Sequence, residues 1–115
     1  MAKKRPARIN GLLIIDKPLG ITSRGVVNQV SRLLSERRCG HAGTLDPQAS
    51  GLLAIAFGQA TKTMKWLTAQ PKSYETTVCF GRATSTDDAA GEVTREKELG
   101  PHITNKDILN AARKH

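Results

Sequence analysis

The sequence predicts an α+β domain, and three patterns predict it. Two short apolar runs, residues 12–15 (LLII) and 52–57 (LLAIAF), have strand length and are bounded by Gly, Pro, Asp and Asn. Between them, residues 22–35 place Val26, Val27, Val30, Leu33 and Leu34 at i, i+1, i+4, i+7 and i+8, which is one face of an amphipathic helix. A third run, SYETTVCFG, alternates Tyr74, Thr76, Val78 and Phe80 against Glu75, Thr77 and Cys79, the period of a strand.

Taken in order, the chain opens on MAKKRPAR, residues 1–8, which hold four positive charges and no apolar run; they read as a flexible basic arm. After the strand at 12–15, Asp16-Lys17-Pro18 turns the chain, Gly20 permits close approach, and Thr22 or Ser23 can cap the helix that follows. Glu36-Arg37-Arg38 ends that helix. Arg38 and its neighbour can grip phosphate or simply complement a helix C-terminus. The stretch GHAGTLDPQASG, residues 40–51, reads as a glycine-rich loop braced by the strand at 52–57. GQATKTMKWLTAQ then reads as a short helix stopped before Pro71, with Met64 and Leu67 buried and Lys62 and Lys65 on its open side; Trp66 can stack on a nucleic-acid base, but with so few aromatics in the chain core packing is the stronger reading. Residues 82–92 read as a polar loop whose Asp87 and Asp88 are solvated rather than metal ligands. A final helix starts at Thr104 as N-cap, with Asp107 at the capping-box position and Ile108, Leu109 and Ala112 on its apolar face. Neither glycine nor proline ends that helix, so the sequence reads as cut short.

At 115 residues the chain is expected to form one domain at most. The net charge of +8 is concentrated: residues 1–65 hold eleven Lys+Arg against three Asp+Glu, and residues 66–115 hold seven of each. Such a basic half favours polyanions and speeds their encounter. No apolar run approaches the ~18 residues of a membrane span, and no apolar segment follows the basic start as a secretory signal requires. Cys39 and Cys79 lack any metal-ligand spacing and read as free cytosolic thiols. No GxxxxGK[ST] phosphate loop occurs. His41, Asp46 and Ser50 do not make a nucleophilic triad, because all three lie within one short loop with no oxyanion hole implied.

The residue with the most chemical promise is Asp46. Pro47 biases it toward extended geometry, so its carboxylate is kept out of a helix. Glycines at 40, 43 and 51 allow positive φ and close approach of a ligand. An isolated acid on such a loop suits a nucleophile or general base. It equally suits an Asp-Pro turn whose side chain bonds nearby N–H groups.

Family motifs decide between these. GHAGTLDPQASG resembles the TruB-type tRNA pseudouridine synthase signature G-H-x-G-x-L-D-P-x-A-x-G, met at Gly40, His41, Gly43, Leu45, Asp46, Pro47, Ala49 and Gly51. NGLLIIDKPLGITS, residues 10–23, is similar to the D-K-P-x-G stretch that the family carries near its N-terminus. KSYETTVCFG places Tyr74 where the family has its active-site tyrosine, and GRATSTDDAAGEV is similar to the family segment that follows. The resemblance covers residues 9–95 and is first to the bacterial, stand-alone branch, with a guide-RNA-dependent relative, which usually has a longer lead-in, as the alternative within the family.

The resemblance implies an N-terminal portion, residues 9–115, of a pseudouridine synthase catalytic domain: a mixed, mostly antiparallel sheet with flanking helices, incomplete at its C-terminus. It implies isomerisation of uridine at position 55 in the T-loop of cytoplasmic tRNA, with no cofactor or metal because substrate and product are isomers. Asp46 is then the nucleophile, with attack on the sugar and removal of its C2′ proton both open as first step. Tyr74 lies against the target base, and His41 against the RNA loop or, alternatively, in the loop's own hydrogen bonding. Lys17, Gly43, Thr44 and Arg38 fall at the RNA-binding surface, with Lys17 and Gly20 supporting the active loop together with Pro47 and Gly51. The base must be extruded from the T-loop, at a cost of a few kcal/mol offset by phosphate contacts and stacking. The complete protein is expected to be a monomer. Family catalytic domains also supply a later arginine for the aspartate, so the 115 residues alone are expected to be inactive or weak, with an uncovered apolar face prone to aggregation. A non-catalytic RNA-binding fragment is the alternative.

Overall fold

The computed structural model describes residues 9–115; the expected basic arm at 1–8 lies outside them. The chain divides into two compact units, Met1–Lys72 and Ser73–His115.

The first unit is a three-stranded antiparallel sheet with one helix packed on it. Strand β1 (Gly11–Lys17) and strand β2 (Cys39–Ala42) flank strand β3 (Gly51–Phe57), giving the order β1-β3-β2. The register pairs Leu13 with Ile55, Ile15 with Leu53 and Lys17 with Gly51, so these residues share one face. Against that face lies helix α1 (Ser23–Leu34), whose Val26, Val27 and Val30 form the core together with Leu45, Leu53 and Ile55. The fully buried Leu53 and Ile55 each contribute about 1.5–3 kcal/mol by leaving water. Ile15, Ile21, Leu34, Cys39 and Ala49 pack around them, half-buried. Partial burial pushes the Cys39 thiol up, and nearby Glu36 adds to this against the weaker pull of Arg24 and the Gly40 N–H.

Helix α1 is capped at both ends. The Thr22 hydroxyl accepts from the Gly25 N–H (2.9 Å), and Ser35 closes the helix in the left-handed conformation (φ 50°). Glu36-Arg37-Arg38 therefore lies beyond the helix rather than in its last turn, where Arg32 is the basic residue. Leu33, expected on the apolar face, is 84% exposed. The buried stripe runs through Val26, Val27 and Val30, with Leu34 half-buried at its end, and Leu33 falls off its edge.

The opposite sheet face stays apolar and open: Leu12, Ile14 and Leu52 are all exposed there. After β3 the chain makes a 3₁₀ turn (Gly58–Thr63) and one short helix, α2 (Met64–Thr68), where a single longer helix is predicted. Met64 and Leu67 are half-buried rather than buried, Met64 resting against the backbone of Gly40. Trp66 is not in the core: it is 60% exposed, with the Lys65 ammonium 4.4 Å from its ring centroid.

The second unit has no buried residue among those described. The strand predicted at 73–81 does not form: residues 72–79 are irregular and exposed. Its alternation is present, but a strand exists only by pairing, and no partner edge meets it among the described residues. Pairing instead begins at the predicted loop. Strand β4 (Arg82–Thr84) pairs antiparallel with strand β5 (Val93–Glu96), and the exposed Arg82–Glu96 ion pair (3.0 Å) links them across the ladder. Asp88 organises the intervening turn, its carboxylate accepting from the Thr86 hydroxyl (2.6 Å) and the Ala90 N–H (2.8 Å). Helix α3 (Asn105–Lys114) carries the expected capping box, Thr104 and Asp107 satisfying each other's backbone N–H. The Asp107 carboxylate accepts from the Thr104 N–H (2.9 Å) and from the Thr104 hydroxyl (3.0 Å), and these two bonds, the backbone one first, lower its carboxyl below the usual carboxylate range.

All observed pairings are antiparallel. The architecture is thus α+β with two small antiparallel sheets and helices beside them.

Candidate active site

The site is built on the connection from β2 to β3. That glycine-rich segment is not a loop throughout: residues 39–42 form β2, with His41 opposite Ile55, and the loop proper runs over residues 43–50. Gly43 (φ 81°) leaves the strand, and Gly51 (φ 124°) enters β3 opposite Lys17. Between them Leu45 points into the core as an anchor, while Thr44, Asp46, Pro47 and Gln48 are exposed.

At Asp46 the loop makes a tight turn. Its backbone carbonyl accepts from the Ala49 N–H (2.9 Å), with Pro47 at the second turn position, where a fixed φ favours the fold. The backbone makes the expected Asp-Pro turn, but the side chain does not make the N–H bonds expected with it. Asp46 is exposed, and its carboxylate has no hydrogen bond or ion pair among the described residues. An acid anchored on both sides by core contacts yet open to solvent can attack or take a proton from a bound molecule.

The turn after β1 clamps this loop from outside. The Gly20 N–H donates to the Pro47 carbonyl (2.8 Å), from a backbone with φ 87° that suits glycine. Ser23, buried at the start of α1, bonds the peptide groups on both sides of Leu45: its hydroxyl donates to the Leu45 carbonyl (2.9 Å) and accepts from the Leu45 N–H (2.8 Å). The clamp is itself held by Lys17, which is fully buried and whose ammonium donates to the carbonyls of Pro18 (2.8 Å) and Ile21 (2.7 Å). The Lys17 ammonium faces its own chain and is not at the surface. Thus the two widely spaced motifs, residues 10–23 and 40–51, form one construction in which the first fixes the position of Asp46.

The remaining expected site residues are distributed as follows. His41 is half-buried, and its Nδ1 is enclosed without a hydrogen-bond partner among the described residues, so that nitrogen does not order the loop backbone. Arg38 is exposed, and its Nε donates to the Thr61 hydroxyl (3.0 Å) while its carbonyl accepts from the Gly58 N–H (2.7 Å). Tyr74 belongs to the second unit, on its irregular segment, and is 63% exposed. Sequence reasoning gave Ser23 only a capping role. A serine directly after a capping threonine was the available signal, since only one of the two can cap. Among the described residues no group of three His, Cys, Asp or Glu side chains is arranged to hold a metal ion.

Comparison with known proteins is decisive. Residues 31–115 match the model of the TruB family pseudouridylate synthase N-terminal domain. The chain belongs to the TruB family of pseudouridine synthases. Within this family, the tRNA pseudouridine synthase B of Ruegeria pomeroyi is 52% identical over 112 residues, covering 96% of this chain and 36% of the relative. The Roseobacter denitrificans enzyme of the same name is 51% identical over 102 residues, and that of Mycobacteroides abscessus 52% identical over 98. These cover 88% and 85% of this chain and 34% and 33% of the relatives. The chain thus spans about a third of the length of these TruB-family relatives. No described helix is long and apolar enough to cross a membrane.

Proposed function

We propose that this chain carries the nucleophile-bearing part of a tRNA pseudouridine(55) synthase, acting on the T-loop of tRNA in the cytoplasm. The observation that supports it most is the Asp46 carboxylate, exposed on a turn that Gly20 and Ser23 clamp from the family's other motif. Relatives bearing the name tRNA pseudouridine synthase B, alike over most of this chain, support the same substrate and a pseudouridine-synthase-like fold.

In this reading the T-loop uridine is extruded toward Asp46. The bond between C1′ and N1 breaks, assisted by the carboxylate attacking the sugar or removing its C2′ proton. The base turns, C5 bonds to C1′, and the C5 proton leaves to restore the ring. Substrate and product are isomers, so the cycle needs no redox partner. Tyr74 lies against the base and helps remove the C5 proton. His41 packs against the RNA where the base has left, and Thr44, Gly43 and Arg38 border the strand.

A second reading, binding without turnover by the 115 residues alone, is favoured by one observation: Asp46 has no cationic partner within ion-pair distance among the described residues. Tritium release from C5-labelled uridine in a T-arm hairpin separates the two. It is measured on this chain and on a chimera in which the chain replaces the matching first third of the Ruegeria pomeroyi enzyme. Release from the chimera that Asp46→Ala abolishes supports the proposed activity. Release from the chimera alone assigns the 115 residues to binding, and no release from the chimera overturns the proposal.

A further inference from the structure

Gly43 does more than let the loop turn. A Cβ built at this position would overlap the ammonium of Lys72 and lie 2.5 Å from its Cε. The end of the Lys72 side chain therefore rests on the bare backbone of Gly43, in the place where any other residue would carry its side chain. Gly43 has φ 81°, so both its conformation and its missing side chain are in use. Lys72 directly follows Pro71, which restricts the chain as it returns from α2.

The charge placed there is uncompensated. Lys72 is exposed, and no carboxylate pairs with it among the described residues. The lysine whose ammonium is fully buried, Lys17, is spent on two carbonyls, and Lys65 lies over Trp66. Lys72 is thus an open cation seated on the same loop as Asp46, at Gly43, which stands three residues before Asp46 in sequence.

We propose that Lys72 is a substrate-positioning residue whose ammonium binds a phosphodiester of the RNA strand entering the site at Gly43. This rests on the reading of the chain as an RNA-modifying enzyme and adds the residue that would hold the backbone while the base is presented to Asp46. An ammonium is a compact point charge suited to a phosphate oxygen. Resting on Gly43, it is localised before the RNA arrives.

The test is the salt dependence of binding between this chain and a T-arm RNA hairpin, for the unaltered chain, Lys72→Gln, Lys72→Arg and Gly43→Ala. Each phosphate contact contributes about 0.7–0.9 to the slope of log K against log salt. Lys72→Gln is expected to lower that slope by one such step, and Lys72→Arg to keep it. Gly43→Ala leaves the net charge unchanged but displaces the ammonium, and is expected to lower the slope as well; a general loss of positive charge would not do this. Thermal melts confirm that each variant is folded, and Lys72→Gln, at an exposed position, keeps the test open should Gly43→Ala destabilise the loop. Binding by the unaltered chain with an unchanged slope in Lys72→Gln overturns the role of Lys72 alone. Absence of binding by the unaltered chain overturns the RNA reading on which it rests.

Discussion

Replacing Ser23 by alanine tests how the two motifs depend on each other. The substitution removes one oxygen from a buried position and leaves the helix cap at Thr22 intact. It deprives the Leu45 N–H and the Leu45 carbonyl of their partner at once. A buried polar group left unsatisfied costs about 1–3 kcal/mol, so the pair gives a loss of roughly 2–6 kcal/mol. Relaxation of the loop toward water recovers part of this, which places the expected loss near 2–3 kcal/mol. That is a large share of the 5–15 kcal/mol typical of a domain. Relaxation has its own consequence, since Asp46 follows Leu45 directly. A displacement on the order of 1 Å at a reacting group costs about a hundredfold in rate. Urea unfolding measures the first effect, and tritium release by the chimera, at temperatures where the variant is folded, measures the second. The reasoning fails if Ser23→Ala loses less than about 0.5 kcal/mol, the range of ordinary surface substitutions, and keeps full activity.

Other consequences follow from the packing. Leu53→Ala opens a cavity under α1 and should cost about 2–5 kcal/mol, whereas Leu33→Ala should stay within about 0.5 kcal/mol; equal losses in denaturant unfolding would contradict the observed core. Lys17→Met keeps most of the buried stem but leaves the Pro18 and Ile21 carbonyls without their donor, for a net loss of about 1–3 kcal/mol; a gain in stability would mean that burying the ammonium costs more than its two bonds return. At α3, the Asp107 carboxyl is lowered in the folded state by the Thr104 N–H and hydroxyl. Its contribution is present above the unfolded value and disappears as pH falls through the folded one. Protection of the amides in the first turn of α3 against exchange, taken relative to the intrinsic rate at each pH, should therefore fall on acidification, and Asp107→Asn should remove that change in protection; an equal change in the variant would refute the assignment.

Much of the first unit was legible because its signals are local. The apolar run at 52–57 and the helical spacing of Val26, Val27 and Val30 each specify one element within a few residues, and both formed. The capping box at Thr104 was legible for the same reason. Where pairing or packing at a distance decides, the sequence was less informative. The alternation at 73–81 describes a strand that needs a partner, and none pairs with it among the described residues. Trp66 was expected inside because it is large and apolar, yet α2 is too short to bury it. At the site, Asp46 stood out through its neighbours Gly43 and Pro47. Ser23 did not, because the bond that matters crosses 22 residues of sequence. Lys72 was hidden for a similar reason: the absence of a side chain at Gly43 reveals its seat only once the chain is folded.

The central claim is that Asp46 is the reacting group, held in place by the turn after β1. The most direct measurement is single-turnover tritium release from a C5-labelled T-arm hairpin, by the chimera and by its Asp46→Ala variant, with RNA binding measured in parallel. The account predicts that release disappears in the variant while the hairpin is still bound. Release at an undiminished rate from the Asp46→Ala variant would contradict it.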